Sequence, residues 1–378
     1  MQTQRIGVLT SGGDCPGLNA VLRGVTKAAE NLRWQVIGFQ DGFEGLLPPR
    51  RYIVLDRMKT AGIMQQGGTI LGTTNRGHFI AKTGAGEKAR VPREIIEQAR
   101  QTLSELEING LIVVGGDGSL STALQLHEAG IPIIGVPKTI DNDLEATSMT
   151  FGFYSAVSYV TEALDRLHST ALSHKRVMVL EVMGRHAGWI ALLGGIAGGA
   201  DIILIPEIPF EWNYVADAVR QRDAEGYQST MIIVAEGAKP KDGEQHFQQN
   251  TIGEHRLGGI GEIVAGEVME RTGKESRCCV LGHLQRGGPP TAVDRLLATR
   301  FGVKAVQLIR ERKFGAMVSY QNYEILDAPL ADAVNRLRLV ASDHQLVKTA
   351  REIGISFGDI GAEVQAACES CQDLNHLS

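Results

Sequence analysis

No window of this chain approaches the ~18 uninterrupted apolar residues of a membrane-spanning helix. Even the most apolar stretch, Ala187–Ile205, is crowded with glycine and carries Asp201, so no membrane partner is expected. The N-terminus MQTQRIGVLTSGGD has no basic segment followed by a signal-length apolar stretch, which makes a cytoplasmic location the expectation. There is no excess of positive charge. A net charge of −5 provides no basic field for nucleic acid, so an anionic ligand must be held by local clusters. Cysteine is scarce. Cys15, the pair Cys278 and Cys279, and Cys368 with Cys371 do not make a secreted disulfide framework, and reduced thiols follow. Cys368 and Cys371 with His376 supply three zinc-type ligands without a fourth, against the plainer reading of an exposed helical tail. Short-period repeats and low-complexity linkers are both missing.

What is present is an enzyme-sized globular chain. Its 378 residues, 43% hydrophobic and 21% charged, exceed the size at which one core usually stops growing, so two lobes are expected. Short apolar runs at Ile6–Thr10, Val36–Phe39, Leu111–Val114 and Ile131–Val136 alternate with helical patterns, which reads as a parallel α/β sheet. Leu18–Leu32 places Val21, Leu22, Val25, Ala28, Ala29 and Leu32 on one face, and Pro92 opens the next helix. A second series starts near Phe151, with Phe153, Val157, Val160, Leu164 and Leu167 at helical spacing. Strands follow at Val177–Val182, Ile202–Ile205 and Met231–Ala235. Gly282–Gly288 carries the chain back toward the first lobe, and beyond about Ala341 it reads as an appendage.

The chemistry concentrates where strands end. Thr10–Asp14 (TSGGD) joins a strand to a helix, where glycine lets backbone N–H groups approach phosphate oxygens; a tight βα turn has the same needs. Gly115–Ser119 (GGDGS) repeats the arrangement with a carboxylate, Asp117, beside the cradle. That suits Mg²⁺, although an Asx turn is the plainer alternative. Pro137–Asp143 (PKTIDND) follows a third strand end and carries Asp141 and Asp143, a composition fit for accepting a hydroxyl proton or for a charged turn. Met183–His186 (MGRH), Arg176, Arg277, His283 and Arg286 add groups that suit a sugar phosphate as a set, while any one alone reads as a surface ion pair or structural residue.

Taken in order and spacing, TSGGDCPGLNA, GGTILGTTNRG, GGDGS, PKTIDND, VMGRHAG and GHLQRGG resemble the 6-phosphofructokinase family over about Arg5 to Gly315. The resemblance implies two Rossmann-like, three-layer lobes with mainly parallel sheets. Residues 1–152 plus about 285–335 form the phosphoryl-donor lobe, and 153–284 plus about 336–378 the sugar-phosphate lobe with a C-terminal extension. It implies ATP as donor, Mg²⁺ as cofactor, fructose 6-phosphate as acceptor, and a homotetramer or homodimer with shared sites. Under it Gly13, Gly116, Asp117, Gly118 and Ser119 line the donor site and Asp117 holds the metal. Asp141 is the base, Thr139 and Arg185 stabilise the transferring group, and Asp143 supports the metal. The sugar is held by Thr139, Ile140, Asp141, Met183, Gly184, Arg185, Glu236, His283, Leu284, Gln285 and Arg286, with Arg176 and Arg277 reaching from a neighbouring subunit.

The chain departs from the family pattern in three places. Asn75 stands where a donor-binding arginine aligns, and Arg76, one later, is expected to bind the donor in its place. Arg23 and Lys27 match basic effector positions, but His168 replaces an arginine and Asp223–Ser229 has no lysines. Gly118 is the residue of ATP users while Lys138 is that of pyrophosphate users, a mixed-substrate pattern in which the glycine points to ATP; a pyrophosphate-dependent enzyme is the alternative. An NAD or lipid kinase shares the GGDG loop without PKTIDND or MGR, and a non-catalytic sugar-phosphate sensor would be expected to have lost Asp117, Asp141 or Arg185.

Overall fold

The computed structural model describes residues 4–74, 77–79, 82–83, 87–88, 90–249 and 255–360. Asn75, Arg76, Cys368, Cys371 and His376 lie outside the described residues. The chain divides into one unit of Met1–Ala156 with Arg286–Arg338 and another of Val157–Gln285 with Leu339–Ser378. The helix Phe153–His174 runs through the first division.

In the first unit the sheet path runs Glu324–Pro329, Ala316–Gln321, Ile133–Thr139, Ile108–Gly115, Arg5–Thr10, Gln35–Phe39, Tyr52–Leu55. The inner five strands are parallel and each edge strand is antiparallel. Side chains alternate across each strand. Leu9, Ile37, Leu111, Val113 and Ile133 therefore share a buried face with Ile96, Ala99 and Leu103 of the helix Arg93–Glu105 and Leu120 and Ala123 of Asp117–Glu128. The opposite face lies under the helices Leu18–Asn31 and Ala292–Arg310. Pro92 caps Arg93–Glu105 from just outside the helix, because a proline carbonyl can accept the first-turn N–H groups of Ile95 and Ile96 while its own nitrogen donates nothing.

The second unit holds four parallel strands in the order Ile202–Leu204, Thr230–Ala235, Val177–Val182, Ser276–Val280. Val177, Val179, Ile232 and Val234 pack with Val215, Val219, Val264 and Val268 of two helices on one face. Gly195 of the helix Trp189–Ala197 lies against Ile203 and Ile233 on the other. Both units are thus three-layer α/β structures.

The segment after Ala341 is no appendage. Val347, Ala350 and Phe357 are fully buried, Ser356 exchanges backbone hydrogen bonds with Asp201 and Ile203, and Arg351 forms a paired contact with Asp359. Its helix Gln345–Glu352 is only two turns long, too short for apolar periodicity to stand out from the polar residues around it.

Candidate active site

Three adjacent strands of the first unit, Ile133–Thr139, Ile108–Gly115 and Arg5–Thr10, end on the same side of the sheet. From Arg5–Thr10 the chain goes next to Gln35–Phe39 on one flank and later to Ile108–Gly115 on the other. That reversal of strand order opens a crevice at the carboxyl ends of parallel strands. Thr10–Asp14, Gly115–Ser119 and Pro137–Asp143 all emerge there.

The glycine loop is held through its N–H groups and its carbonyls alike. Ser11 N–H donates to Val114 O at 2.9 Å and Thr73 Oγ1 donates to Gly12 O at 2.6 Å, with Gly12 at φ +82°, a backbone state that glycine adopts without penalty. Lys138 Nζ donates to Gly13 O, and Arg286 Nη1 donates to Asp14 O at 3.1 Å. Two cations therefore hold successive carbonyls of one loop. Lys138 is 4% exposed, and burial lowers its pKa. Beside it Cys15 is fully buried, its thiol pushed up to about 12 by desolvation, so it is inert.

Gly116 precedes the helix Asp117–Glu128, whose first turn holds Asp117, Gly118 and Ser119. A Cβ built on Gly118 meets nothing within 4 Å. In the third loop Asp141 N–H donates to Thr139 Oγ1 at 3.1 Å. Asn142, at φ +51°, accepts from Thr150 N–H at 3.0 Å, and Thr150 Oγ1 donates to Thr139 O at 2.8 Å. Ile140 is buried beneath them. Asp143 is pushed up to about 7, first by burial, then by the negative charge of Asp141 and, more weakly, of Asp117; the Thr139 hydroxyl opposes the shift. Three carboxylates thus act on one another. Among the described residues no three or more His, Cys, Asp or Glu form a cage for a metal ion.

A raised carboxyl has a stability consequence. Between the ordinary carboxylate range and about pH 7 the folded chain keeps a proton on Asp143 that the unfolded chain has lost, so this group's contribution to stability falls as pH rises through that window. With chelator and without nucleotide, Asp143→Asn is expected to gain apparent Tm relative to wild type from about pH 4 to about pH 7, then hold its advantage. Thermal scans across pH test it, and a difference that stays flat or shrinks contradicts the assignment.

The second unit follows the same logic. Val177–Val182, Thr230–Ala235 and Ser276–Val280 are neighbours, and after their ends come Met183–Arg185, Glu236 and Gly282–Gln285. Glu236 N–H donates to Val182 O at 2.8 Å, Met183 N–H to Gln285 Oε1 at 3.3 Å, and Gly237 N–H to Gly184 O at 3.1 Å. A Cβ at Gly237 would stand 2.1 Å from Arg185 O, so only glycine permits that approach. Leu284 is exposed. Arg286 belongs to the first unit, where it braces the glycine loop.

Arg176 and Arg277 lie elsewhere. They stand at the starts of Val177–Val182 and Ser276–Val280, which pair Ser276 with Val177, so a strand length of roughly 20 Å at ~3.3 Å per residue separates Arg176 from Met183. Both approach Glu275, Arg277 Nη2 at 2.8 Å and Arg176 Nη2 at 3.6 Å. Arg176 Nε is buried without a hydrogen-bond partner among the described residues. Sequence reading passed over Glu275; its only signal was a position two residues before Arg277. His168 is turned onto Gly198 O at 2.8 Å, and Arg23 approaches the Met64 sulfur at 4.0 Å.

Comparison with known proteins adds ancestry to this geometry. A family model described as Phosphofructokinase matches residues 5–309. The chain belongs to the phosphofructokinase family. It is 53% identical over 357 residues to the ATP-dependent 6-phosphofructokinase of Chloroflexus aggregans, covering 94% of this chain and 98% of that one. ATP-dependent 6-phosphofructokinase 1 of a Synechocystis species is 48% identical over 362 residues, covering 95% and 99%. Among solved structures, phosphofructokinase from Saccharomyces cerevisiae superposes with a TM-score of 0.75 at 30% identity, covering 96% of this chain and 50% of that one. This chain thus spans half the length of the yeast chain.

Proposed function

We propose that the chain is an ATP-dependent 6-phosphofructokinase, moving the γ-phosphoryl group of ATP to the 1-hydroxyl of fructose 6-phosphate in glycolysis. The observation that carries this reading is the convergence of Gly12–Gly13, Gly116–Ser119 and Asp141–Asp143 on the ends of three neighbouring parallel strands, with free space beside Gly118. The Gly13 N–H and those of the first turn of Asp117–Glu128 would face the donor phosphates, since Ser11 and Gly12 N–H donate to Val114 O and Thr74 O. Phosphoryl transfer depends chiefly on positioning and charge stabilisation. Asp141 accepts the hydroxyl proton, its peptide fixed by Thr139, and Arg185 stabilises charge on the transferring group. The exposed Leu284 edge, with Met183 and Glu236, frames the sugar, and the buried Gln285 amide braces Met183 N–H and Gly282 O behind them.

The acidic character of this site fits Mg²⁺, which takes one or two carboxylates and completes its shell with phosphate oxygens and water. Asp117 would hold it, with Asp143 in support, since the mutual charge of Asp117, Asp141 and Asp143 calls for a cation. When bound, the ion neutralises the polyphosphate. Turnover of fructose 6-phosphate with ATP or pyrophosphate, each with and without Mg²⁺, tests the reading; wild-type preference for pyrophosphate, or Mg²⁺-independent turnover, overturns it.

Self-association belongs to the same proposal. Arg176 and Arg277 stand at the strand ends opposite Met183–Arg185, a strand length from their own chain's sugar loops, which supports the reading that they serve the site of a second copy. Arg176→Ala and Arg277→Ala are expected to raise the fructose 6-phosphate KM, since each removes a charge-assisted contact of ~1.5–3 kcal/mol. Mixing either variant with Asp141→Asn chains should restore turnover at low fructose 6-phosphate, because some hybrid sites combine an intact Asp141 with intact arginines. Verified hybrids that show no such low-KM turnover would refute sharing.

A further inference from the structure

The acidic loop is framed by residues nearly two hundred positions later in the chain. Leu337 forms an antiparallel bridge with Leu144, and Arg336 pairs with Glu145 at 3.2 Å. Arg338 makes the larger set of contacts. Its N–H donates to Asp143 O at 2.8 Å, and its Nη1 donates to Thr147 O at 3.1 Å and Ser148 O at 2.6 Å. Half-buried, Arg338 thus fixes three carbonyls of the segment that follows Asp141, and a planar, permanently charged fork is suited to that task. Ala146, held at φ +61°, is gripped from the other side by Ser319 and Gln321.

Arg338 is also the last residue of the first unit. Two residues on, Val340 N–H donates to Glu207 Oε1 at 2.8 Å, and the same carboxylate accepts Gly188 N–H at 3.0 and 3.1 Å. Gly188 caps the helix that follows Met183–Arg185. One short crossover segment therefore holds, at one end, the loop of Asp141 and Asp143 and, at the other, the turn beyond Arg185.

We propose that Arg338–Val340 is a positioning strap for the reaction: Arg338 sets the acidic loop, and Val340, through Glu207, sets the turn after Arg185. The role rests on the phosphotransferase reading, since positioning matters only if those loops carry the chemistry. Small displacements of reacting groups cost up to ~10²-fold in rate.

The test compares wild type, Arg338→Gln, Arg338→Lys and Glu207→Gln by steady-state kinetics and by amide hydrogen exchange. Arg338→Gln should lower kcat ~10- to 100-fold with the ATP KM little changed, and accelerate exchange across residues 139–150. Arg338→Lys should fall between it and wild type. Glu207→Gln should accelerate exchange around residues 184–190. Wild-type kcat and exchange in Arg338→Gln overturn the proposal, as does a lost kcat with unchanged exchange at 139–150. If the glutamine variant does not fold, the lysine variant is judged alone: an intermediate loss supports the strap and wild-type behaviour overturns it. If wild type does not phosphorylate fructose 6-phosphate, the functional reading fails by itself, while exchange still decides whether Arg338 holds the loop.

Discussion

Asp141→Asn is expected to lower kcat by at least ~10²-fold, the usual worth of a positioned general base, while leaving folding and the fructose 6-phosphate KM nearly intact. Two hydrogen bonds that hold the loop do not use the carboxylate of Asp141. Its N–H is received by Thr139 Oγ1, and the next residue is locked by the bond between Asn142 Oδ1 and Thr150 N–H. An amide keeps the volume and planar shape of the carboxylate but cannot take a proton at neutral pH. The defect should therefore appear in turnover more than in binding. Single-turnover kinetics at saturating ATP and sugar phosphate read it directly, and near-normal turnover would remove Asp141 from the role of base.

The inner strands were legible because buried parallel strands read as unbroken apolar runs. Val177–Val182 was expected at the limits it adopts, and Ile6–Thr10 differed by one residue. Ser276–Val280 was not foreseen. Ser-Arg-Cys-Cys-Val mixes polar and apolar residues, and the strand lies at a sheet edge with Arg277 and Val280 exposed or partly so. The site was legible where loop and chemistry share one short segment, as in GGDGS or PKTIDND. It was illegible where a residue acts on a distant backbone. Lys138 read as the residue of pyrophosphate users, yet its amine donates to Gly13 O. Nothing near Arg338 in sequence announces three carbonyls at positions 143–148. Such contacts are set by tertiary packing, and local composition carries no trace of them.

Gly118→Asp is expected to abolish most ATP use without creating an efficient pyrophosphate enzyme. Gly118 lies in the first turn of Asp117–Glu128, and its Cβ direction is empty to 4 Å. The Cβ of an added side chain there meets no protein atom within 4 Å, and a carboxylate in the first turn favours the helix dipole, so the fold should tolerate it. The empty space has a different use. In the proposed complex it admits the part of the nucleotide beyond the transferred phosphates. A side chain filling it would exclude that part, and its charge would repel polyphosphate at short range. Pyrophosphate ends before the obstruction, so steric exclusion alone does not bar it. Efficient transfer, however, also needs a cation aligned on the shorter donor, and Lys138 is committed to the glycine-loop carbonyl, buried and with its pKa lowered by desolvation. Freeing that amine would unfasten the loop that presents backbone N–H groups to any donor. The decisive measurement is kcat/KM with each donor for wild type and Gly118→Asp at saturating fructose 6-phosphate and Mg²⁺, alongside thermal melts. A mutant that keeps wild-type ATP use shows that the space beside Gly118 is not where the nucleotide passes. Efficient pyrophosphate turnover shows instead that Lys138 leaves the Gly13 carbonyl at little cost.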